Sequence, residues 1–547
     1  MIMINNLDIK LKGGNWVNTV DRISTKRSKI VSAEEAVKKI PNGATITIGG
    51  LISILCPEKV LSCLGDRFVK TGEPMNLSVI TPVRVGWDSE RSTGLEHIAK
   101  KGMLKRLISG SFNVKESPKL TSMIQNNEIE AYSFSMGTLF QLIRSIAGGH
   151  PGLLTTVGLN TYVDPRQGGG RLNEYTEEDI VRLLEIDGEK NLFFPSFPID
   201  VAIIRGTTAD ENGNITLEEE PATLSGLEMA MAAKASGGYV IAQVKRVTEN
   251  KTLHPRSVEI PGILVDAIVI DEEQKQSVLQ THEPSWTGEI KKPTSQLTKE
   301  MPLNANKIIL GRALKEITSG SIVNLGVGIP VDFPKLALEK GFFDDLIFSL
   351  EHGAIGGMPM GVEVFGAHIN PEAFVTSPQI FDYYQAGGLS STLLGFAQID
   401  GFGNVNVSKF NGIFRGSGGF IDITHKTPKI LFCGTLTSGG LKLDVENGEL
   451  KIKNEGRYKK FIKSVEHMTF NAREAVKKGQ EVLYITERCV FSLEENGLLL
   501  VEYAPGTDVQ KDILSNIECD VRISDELKLM DPGLFIQENE KMLKEKV

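Results

Sequence analysis

Ala44-Thr-Ile-Thr-Ile48 is a short run rich in β-branched residues, and apolar side chains recur at helical spacing in the stretch after it, 57–70. Ser321-Ile-Val-Asn-Leu325 is followed in the same way by a helical pattern over 331–340. Short strands that alternate with amphipathic helices are typical of α/β domains built on parallel sheets. The sequence therefore predicts an open α/β fold in each half of the chain.

The two halves repeat further features in the same order. Ile48-Gly49-Gly50 follows the first strand pattern, and Leu325-Gly326-Val327-Gly328 follows the second. Later, Asp210-Glu-Asn-Gly-Asn214 matches Asp400-Gly-Phe-Gly-Asn404, each a turn before an alternating strand. These repeats predict two similar domains with a cleft between them, where ligands usually bind.

A polar, Pro-bearing segment with little periodicity separates the two halves. We interpret this segment, 271–307, as an interdomain linker. The predicted division is an N-terminal extension (1–29), a first domain (30–270), the linker (271–307), a second domain (308–535) and a C-terminal tail (536–547).

Composition and charge exclude several classes of protein. The net charge of −9 and the pI of about 5.6 argue against a nucleic-acid footprint. No apolar run reaches the roughly 18 residues of a membrane span, so we expect no membrane association. The cysteines form no CxxC pair and predict reduced thiols in a cytoplasmic protein: Cys56, Cys63, Cys433, Cys489 and Cys519.

Motif exclusions narrow the chemistry further. The chain contains no Gly-Lys dipeptide, so a GxxxxGK[ST] phosphate loop is absent, and it contains no GxSxG and no HExxH. The eight histidines show no ligand spacing. We therefore expect no metal and no permanently bound cofactor.

The strongest chemical signal surrounds Glu351. An apolar strand pattern runs into this carboxylate, and glycines follow it directly in Glu351-His-Gly-Ala-Ile-Gly-Gly357. A carboxylate held close to an acyl thioester and partly desolvated acts as a nucleophile. The alternative is that Glu351 only caps a turn.

A second glycine cluster, Arg415-Gly-Ser-Gly-Gly-Phe-Ile-Asp422, lies between strand-like stretches. Its backbone N–H groups could stabilise an oxyanion, and as a pattern alone it is equally a tight turn. Phe381, Tyr383 and Tyr384 are interpreted as buried aromatics of an amphipathic helix.

Across roughly 30–535 the chain resembles family I CoA-transferases. It is most similar to the single-chain acetate and propionate (short-chain acyl) CoA-transferases, and more distantly to the 3-oxoacid CoA-transferases. The matching segments are GLNTYVDPR (158–166), FPIDVA (197–202), NLGVGIP (324–330), EHGAIGG (351–357), QAGGL (385–389), CGTLTSGG (433–440), YITER (484–488) and APG (504–506).

This resemblance implies roles for particular residues. It implies that Glu351 becomes a glutamyl-CoA thioester and that Gly419, in the pair Gly418–Gly419, offers its backbone N–H to the thioester carbonyl oxygen. It also implies a substrate or CoA loop at Gly49, Gly50 and Gly388. Coenzyme A is then a substrate and covalent intermediate, short carboxylic acids and acyl-CoA are the partners, and a homo-oligomer (dimer or tetramer) is expected.

The chain departs from the family pattern in its first half. Gly49-Gly50-Leu51 leads to Pro57 without the further glycine that usually precedes the proline. Ile80-Thr81-Pro82 stands where the 3-oxoacid enzymes carry an Asn pair, and Pro82 has no N–H to donate. A second oxyanion donor is thus unassigned, and a 3-oxoacid substrate is disfavoured.

The resemblance implies ping-pong transfer of CoA from a short-chain acyl-CoA to an acceptor such as acetate. Two alternatives remain open at this level. One is an acyl-CoA hydrolase on the same fold, with water as the acceptor. The other is a non-catalytic metabolite-binding protein.

Overall fold

The computed structural model describes residues 28–87, 93–112, 117–277, 280–297 and 300–536. Nearly all of the predicted extension (1–29) and tail (536–547) lies outside the described residues. No helix in the described residues is long and apolar enough to cross a membrane.

The first half is built on a mainly parallel sheet with strand order β11-β10-β8-β1-β2-β3-β4. Neighbours in this order run parallel, while β9 pairs antiparallel with β8. β5, β7 and β6 form a separate antiparallel sheet. The strands are β1 (Thr45–Ile48), β2 (Leu77–Thr81), β3 (Leu104–Ser109), β4 (Glu130–Ser133), β5 (Gly152–Thr155), β6 (Arg182–Ile186), β7 (Glu189–Pro195), β8 (Val201–Asp210), β9 (Ile215–Thr216), β10 (Tyr239–Thr248) and β11 (Ala267–Ile270).

The helices of this half are α1 (Ala33–Val37), α2 (Glu58–Thr71), α3 (Pro118–Gln125), α4 (Met136–Ala147) and α5 (Gly226–Ala235). Every residue of the central strand β8 is buried, as expected for a parallel sheet covered on both faces. α2 ends at Gly72, whose left-handed φ of 74° closes the helix.

The second half is built on a larger sheet with strand order β17-β14-β13-β12-β18-β23-β28-β29-β30-β31. Its centre, β13-β12-β18-β23-β28, is parallel. The strands are β12 (Ile322–Leu325), β13 (Ile347–Ser349), β14 (Ala354–Ile355), β15 (Met358–Pro359), β16 (His368–Ile369), β17 (Ala373–Phe374), β18 (Ser391–Leu394), β19 (Gln398–Ile399), β20 (Val405–Asn406), β21 (Lys409–Phe410), β22 (Ile413–Phe414), β23 (Lys429–Cys433), β24 (Thr437–Ser438), β25 (Lys442–Glu446), β26 (Glu449–Asn454), β27 (Tyr458–Lys459), β28 (Glu481–Ile485), β29 (Cys489–Glu494), β30 (Gly497–Tyr503) and β31 (Arg522–Leu529).

The helices of the second half are α6 (Ala305–Leu314), α7 (Phe333–Glu339), α8 (Ser377–Gln385), α9 (Phe420–Thr424) and α10 (Ala472–Lys477). α6 begins at Ala305, inside the range predicted as the linker. The predicted two-domain α/β fold is confirmed, and the domain boundaries stay predictions.

The repeated turns share one hydrogen-bond pattern. Asp210 Oδ1 accepts from the backbone N–H groups of Asn212 (3.0 Å) and Asn214 (2.9 Å), and Asn214 Nδ2 donates to Asp210 Oδ2. Asp400 Oδ1 accepts likewise from the residues two and four positions later, at 3.1 and 3.0 Å. Asp-x-x-Gly-Asn therefore specifies the same closed turn in both domains.

The domains pack against each other through apolar side chains. Leu51, Ile54 and Phe140 of the first domain belong to the same buried cluster as the second-domain core. The ring of Phe140 stacks on Phe381 of α8 with centroids 6.0 Å apart. This contact is one of those that hold the two domains together.

Candidate active site

A cavity of about 520 Å³ lies between the two domains. Leu51 and Val83, shortly after β1 and β2, line it from the first domain, and Gly326, Gly395 and Gly434 line it directly after β12, β18 and β23. The carboxyl ends of parallel strands are the usual place for ligands in open α/β sheets. The carboxyl ends of strands from both sheets therefore face the same cavity.

Glu351 lies just beyond the end of β13, in the wall of this cavity. Its side chain is buried, with the whole residue 7% exposed. Burial raises the pKa of this carboxyl from 4.5 to about 7. Its hydrogen bond from Asn324 Nδ2 is long, at 3.4 Å, and opposes that rise only in part.

Asn324 fixes the direction of this hydrogen bond. It lies in the central strand β12, where its Nδ2 also donates to the carbonyl oxygen of Ser349 at 3.1 Å. Its Oδ1 accepts from Thr392 Oγ1 of β18 at 3.2 Å. Sequence reasoning missed Asn324, although a lone amide inside the apolar run Ser321-Ile-Val-Asn-Leu325 was an available signal.

The glycines after Glu351 shape a tight turn between β13 and β14. Gly353 has a φ of 98°, and a Cβ there would lie 1.9 Å from the carbonyl oxygen of Val375. Only glycine fits such a position. Glu351 stands at the start of this turn and lines the cavity, so the turn holds its carboxylate at the cavity wall.

Gly418 and Gly419 line the same cavity at the N-terminus of α9. The N–H of Gly418 donates to the carbonyl oxygen of Gly110 in the first domain at 2.8 Å. The N–H of Gly419 donates no hydrogen bond to any residue that the structure describes. Of the two predicted donors, only Gly419 thus keeps its N–H available for a ligand.

The other predicted glycines lie outside the cavity lining. Gly49 donates its N–H to Ile203 O at 2.9 Å, and Gly50 has a φ of 126°, so both serve the turn that presents Leu51 to the cavity. Gly388 follows α8, where a Cβ would lie 2.3 Å from the ring of Tyr383. Close packing against that ring explains Gly388, and the structure does not place it in the predicted loop around the ligand.

Three further side chains line the cavity. Burial lowers the pKa of His352 to about 3, so its imidazole is neutral, and its ring meets Phe365 edge-on with centroids 5.2 Å apart. Lys460 Nζ lies 3.9 Å from the centroid of the Phe396 ring, and burial lowers the pKa of this ammonium to about 8. Burial raises the pKa of the Cys433 thiol. His352 follows Glu351 directly in the chain, whereas no local pattern predicted that Lys460 would lie in the same cavity.

Two of the three predicted core aromatics are buried as expected: Phe381 and Tyr384 are fully buried, whereas Tyr383 is exposed. Tyr384 also bonds through its hydroxyl to Ser349 Oγ at 2.6 Å, next to the site.

Among the described residues, no group of three or more His, Cys, Asp or Glu side chains could hold a metal ion.

Two α/β domains with a buried carboxylate in their common cleft place the chain among two-domain α/β proteins with a candidate active site between the domains. The family model for coenzyme A transferase matches residues 30–271. The acetate CoA-transferase YdiF of Escherichia coli O157:H7 is 41% identical over 93% of this chain and 96% of its own length. The caffeate CoA-transferase of Acetobacterium woodii is also 41% identical, over 93% of this chain and 97% of its own.

A solved structure of the E. coli O157:H7 acyl-CoA transferase YdiF, a thioester complex with CoA, superposes with a TM-score of 0.87 at 41% identity. It covers 93% of this chain and 96% of that one. This chain belongs to the coenzyme A transferase family, and the resemblance stated from its sequence is confirmed.

Proposed function

We propose that this enzyme transfers CoA from a short-chain acyl-CoA to an acceptor carboxylate, such as acetate or propionate, with Glu351 as the nucleophile. One observation carries the proposal: a buried carboxylate lines the same cavity as the N–H of Gly419, which has no acceptor among the described residues. The thioester with CoA in the solved E. coli relative supports a covalent route.

The proposed reaction balances without a metal ion, ATP or the net gain or loss of a proton. A Glu351 carboxylate oxygen attacks the thioester carbonyl, and the resulting oxyanion collapses to an anhydride as CoA thiolate leaves. The thiolate then attacks the glutamyl carbonyl, which releases the donor acid as a carboxylate and leaves the glutamyl-CoA thioester. The acceptor acid runs the same steps in reverse.

Burial of Glu351 suits this role. A carboxyl group with a pKa near 7 is substantially ionised at neutral pH, yet its oxygens carry little hydration. Folding therefore already desolvates the attacking anion, so the substrate does not have to remove its water on binding. Burial of the carboxylate in the cleft also limits the access of water to the activated acyl groups.

Gly419 supplies the oxyanion donor in this proposal. Its N–H would bind the carbonyl oxygen as negative charge develops in the transition state, and one such donor is commonly worth about 3 kcal/mol. The second donor stays unassigned, because Pro82 has no N–H.

The cytoplasmic location and the dimeric or tetrameric state stay predictions, which cell fractionation and light scattering would test.

The test is to incubate the enzyme with acetyl-CoA in the absence of an acceptor acid. We expect intact-mass spectrometry of the denatured protein to show one added CoA, peptide mapping to place it on Glu351, and propionate to discharge it as propionyl-CoA. Cys433→Ala serves as the control, because the thiol lines the same cavity and the adduct should form without it.

Other outcomes would refute the proposal. Continuous consumption of acetyl-CoA in water, with no acceptor, would indicate a hydrolase. Reversible CoA binding without any added mass after denaturation would indicate a metabolite-binding protein. An adduct that maps to Cys433 would assign a different nucleophile.

A further inference from the structure

We propose that Asp422, acting with the N-terminus of α4, positions the Gly418–Gly419 peptide so that the Gly419 N–H is directed into the cavity. Asp422 is then a positioning residue that works across the domain interface. The inference rests on the proposed function, because it explains how the oxyanion donor of that reaction is held.

The orientation of one peptide unit carries the argument. The carbonyl oxygen of Gly418 accepts a hydrogen bond of 2.9 Å from the N–H of Met136, the first residue of α4. The Gly418–Gly419 peptide bond is trans. In a planar trans peptide the C=O and the following N–H point in opposite directions. The contact with α4 therefore turns the Gly419 N–H away from α4 and leaves it free for the cavity that Gly419 lines.

Asp422 completes the same contact from the first turn of α9. Its Oδ2 accepts from the N–H of Gly137 at 2.9 Å, and its Oδ1 accepts from Ser135 Oγ at 2.9 Å. Gln385 Nε2 of α8 donates to Oδ1 at 3.0 Å. The carboxyl group is fully buried, and burial raises its pKa to about 7 while these three donors oppose that rise.

The contact is an interdomain helix cap. The first N–H groups of an α-helix have no partner inside the helix, and anions are favoured there. In α4 the first two are satisfied by the second domain, one by Gly418 O and one by Asp422. Gly137 permits the close approach, since a Cβ there would lie 2.6 Å from Asp422 Oδ1.

This arrangement couples domain packing to the oxyanion donor. Further backbone bonds hold the same loop to the first domain, from Gly418 N to Gly110 O at 2.8 Å and from Phe112 N to Arg415 O at 2.7 Å. These bonds fix the position of the loop, whereas the contact of α4 with Gly418 O and Asp422 sets the rotation of the peptide. Removal of Asp422 should therefore leave CoA binding intact and reduce the stabilisation of the oxyanion.

The experiment measures two quantities: the rate at which the CoA adduct forms from acetyl-CoA, and the infrared frequency of the thioester carbonyl in that adduct. Labelling with ¹³C-glutamate identifies the band of this carbonyl. Asp422→Ala should slow adduct formation by about tenfold or more, part of the factor of about 100 that an oxyanion donor supplies, with the Kd for CoA unchanged. Its thioester carbonyl band should move to higher wavenumber, because the Gly419 N–H no longer polarises it. Asp422→Asn keeps one acceptor for the N–H of Gly137, so its rate of adduct formation and its carbonyl frequency should lie between those of Asp422→Ala and the unmodified enzyme.

The matched control is Asp382→Ala. Asp382 of α8 accepts from Arg144 and Gln141 of α4 across the same domain interface, and among the described residues it makes no hydrogen bond to the glycine cluster 415–422. We expect this variant to keep both the rate and the carbonyl frequency of the unmodified enzyme. A shift in the band of Asp382→Ala equal to that of Asp422→Ala would reduce Asp422 to a general interface role and overturn the inference.

An adduct that forms at the normal rate with an unchanged carbonyl band in Asp422→Ala would also overturn it. If that variant does not fold, the same two measurements on Asp422→Asn decide, and no change in either would refute the positioning role. Failure of the unmodified enzyme to form any adduct would instead refute the proposed function, so the two failures are distinguishable.

Discussion

Replacing Glu351 with Gln should abolish transfer and stabilise the fold at the same time. An amide is a poor nucleophile of almost the same shape, so the first step of the proposed reaction is lost. The amide also removes a charge that the folded protein has to desolvate. Its oxygen can still accept the 3.4 Å bond from Asn324, so no buried donor is left without a partner.

The size of the stabilisation follows from the pKa of Glu351. The folded protein raises this pKa from 4.5 to about 7, so between these pH values the folded chain binds a proton that the unfolded chain has released. The free energy of unfolding therefore falls as pH rises through this window. At about 1.4 kcal/mol per pH unit the loss amounts to about 3 kcal/mol above pH 7.

Calorimetry at pH 8 and near pH 4.5 would measure this effect. At pH 8 the Glu351→Gln variant should unfold at a temperature roughly 5–10 °C higher, and near pH 4.5 the difference should vanish. Glu372→Gln, at an exposed carboxyl on the neighbouring strand segment, controls for the substitution itself. Equal or lower stability of Glu351→Gln at pH 8, or full transfer activity, would refute the reasoning.

Three further changes test the proposed nucleophile and its surroundings. Glu351→Asp should lose most of its activity, because the carboxylate retreats by roughly 1.5 Å, and coupled assays of acetyl transfer would measure the loss; wild-type rates would contradict a nucleophilic role. Cys433→Ala should keep its kcat, since burial raises the pKa of the thiol and keeps it protonated; a large fall in kcat would implicate the thiol. Lys460 lines the cavity that contains Glu351, so its ammonium should attract the acceptor carboxylate. It loses its positive charge as pH rises through about 8, so the KM for acetate should rise between pH 7 and 9, whereas Lys460→Met should show a high KM that does not change; a flat KM in the unmodified enzyme would contradict this.

Much of the fold could be predicted from short-range pattern. A strand such as β12 and its following helix show their periodicity within about 20 residues, and the parallel class follows from their alternation. The turns at Asp210 and Asp400 are determined by side chains that bond to their own backbone within four residues. Glu351 was visible for the same local reason, as a carboxylate between an apolar strand and several glycines.

The rest of the site depends on residues that are far apart in the sequence. Asp422 bonds to Ser135, 287 positions away, and this pairing leaves no periodic signal in either segment. Lys460 is similar, since it gains its environment only when its strand segment folds against Phe396. Gly388 shows a second difficulty, because a glycine that packs against a neighbouring tyrosine ring has the same sequence signature as one that admits a ligand, and its predicted role stays a prediction.

Glu351 and Asp422 show how one fold assigns different tasks to two buried carboxyl groups. Burial raises the pKa of each to about 7, so desolvation alone does not distinguish them. The hydrogen-bond donors around the two carboxyl groups distinguish them. Asp422 accepts three hydrogen bonds of 2.9–3.0 Å from other residues, which hold it in place. The one hydrogen bond that Glu351 accepts from another described residue, Asn324, is longer, at 3.4 Å. A carboxylate that accepts several short hydrogen bonds is held in place, whereas a buried carboxylate with weaker hydrogen bonding at a cavity wall can approach a carbonyl carbon, as the proposed function requires of Glu351.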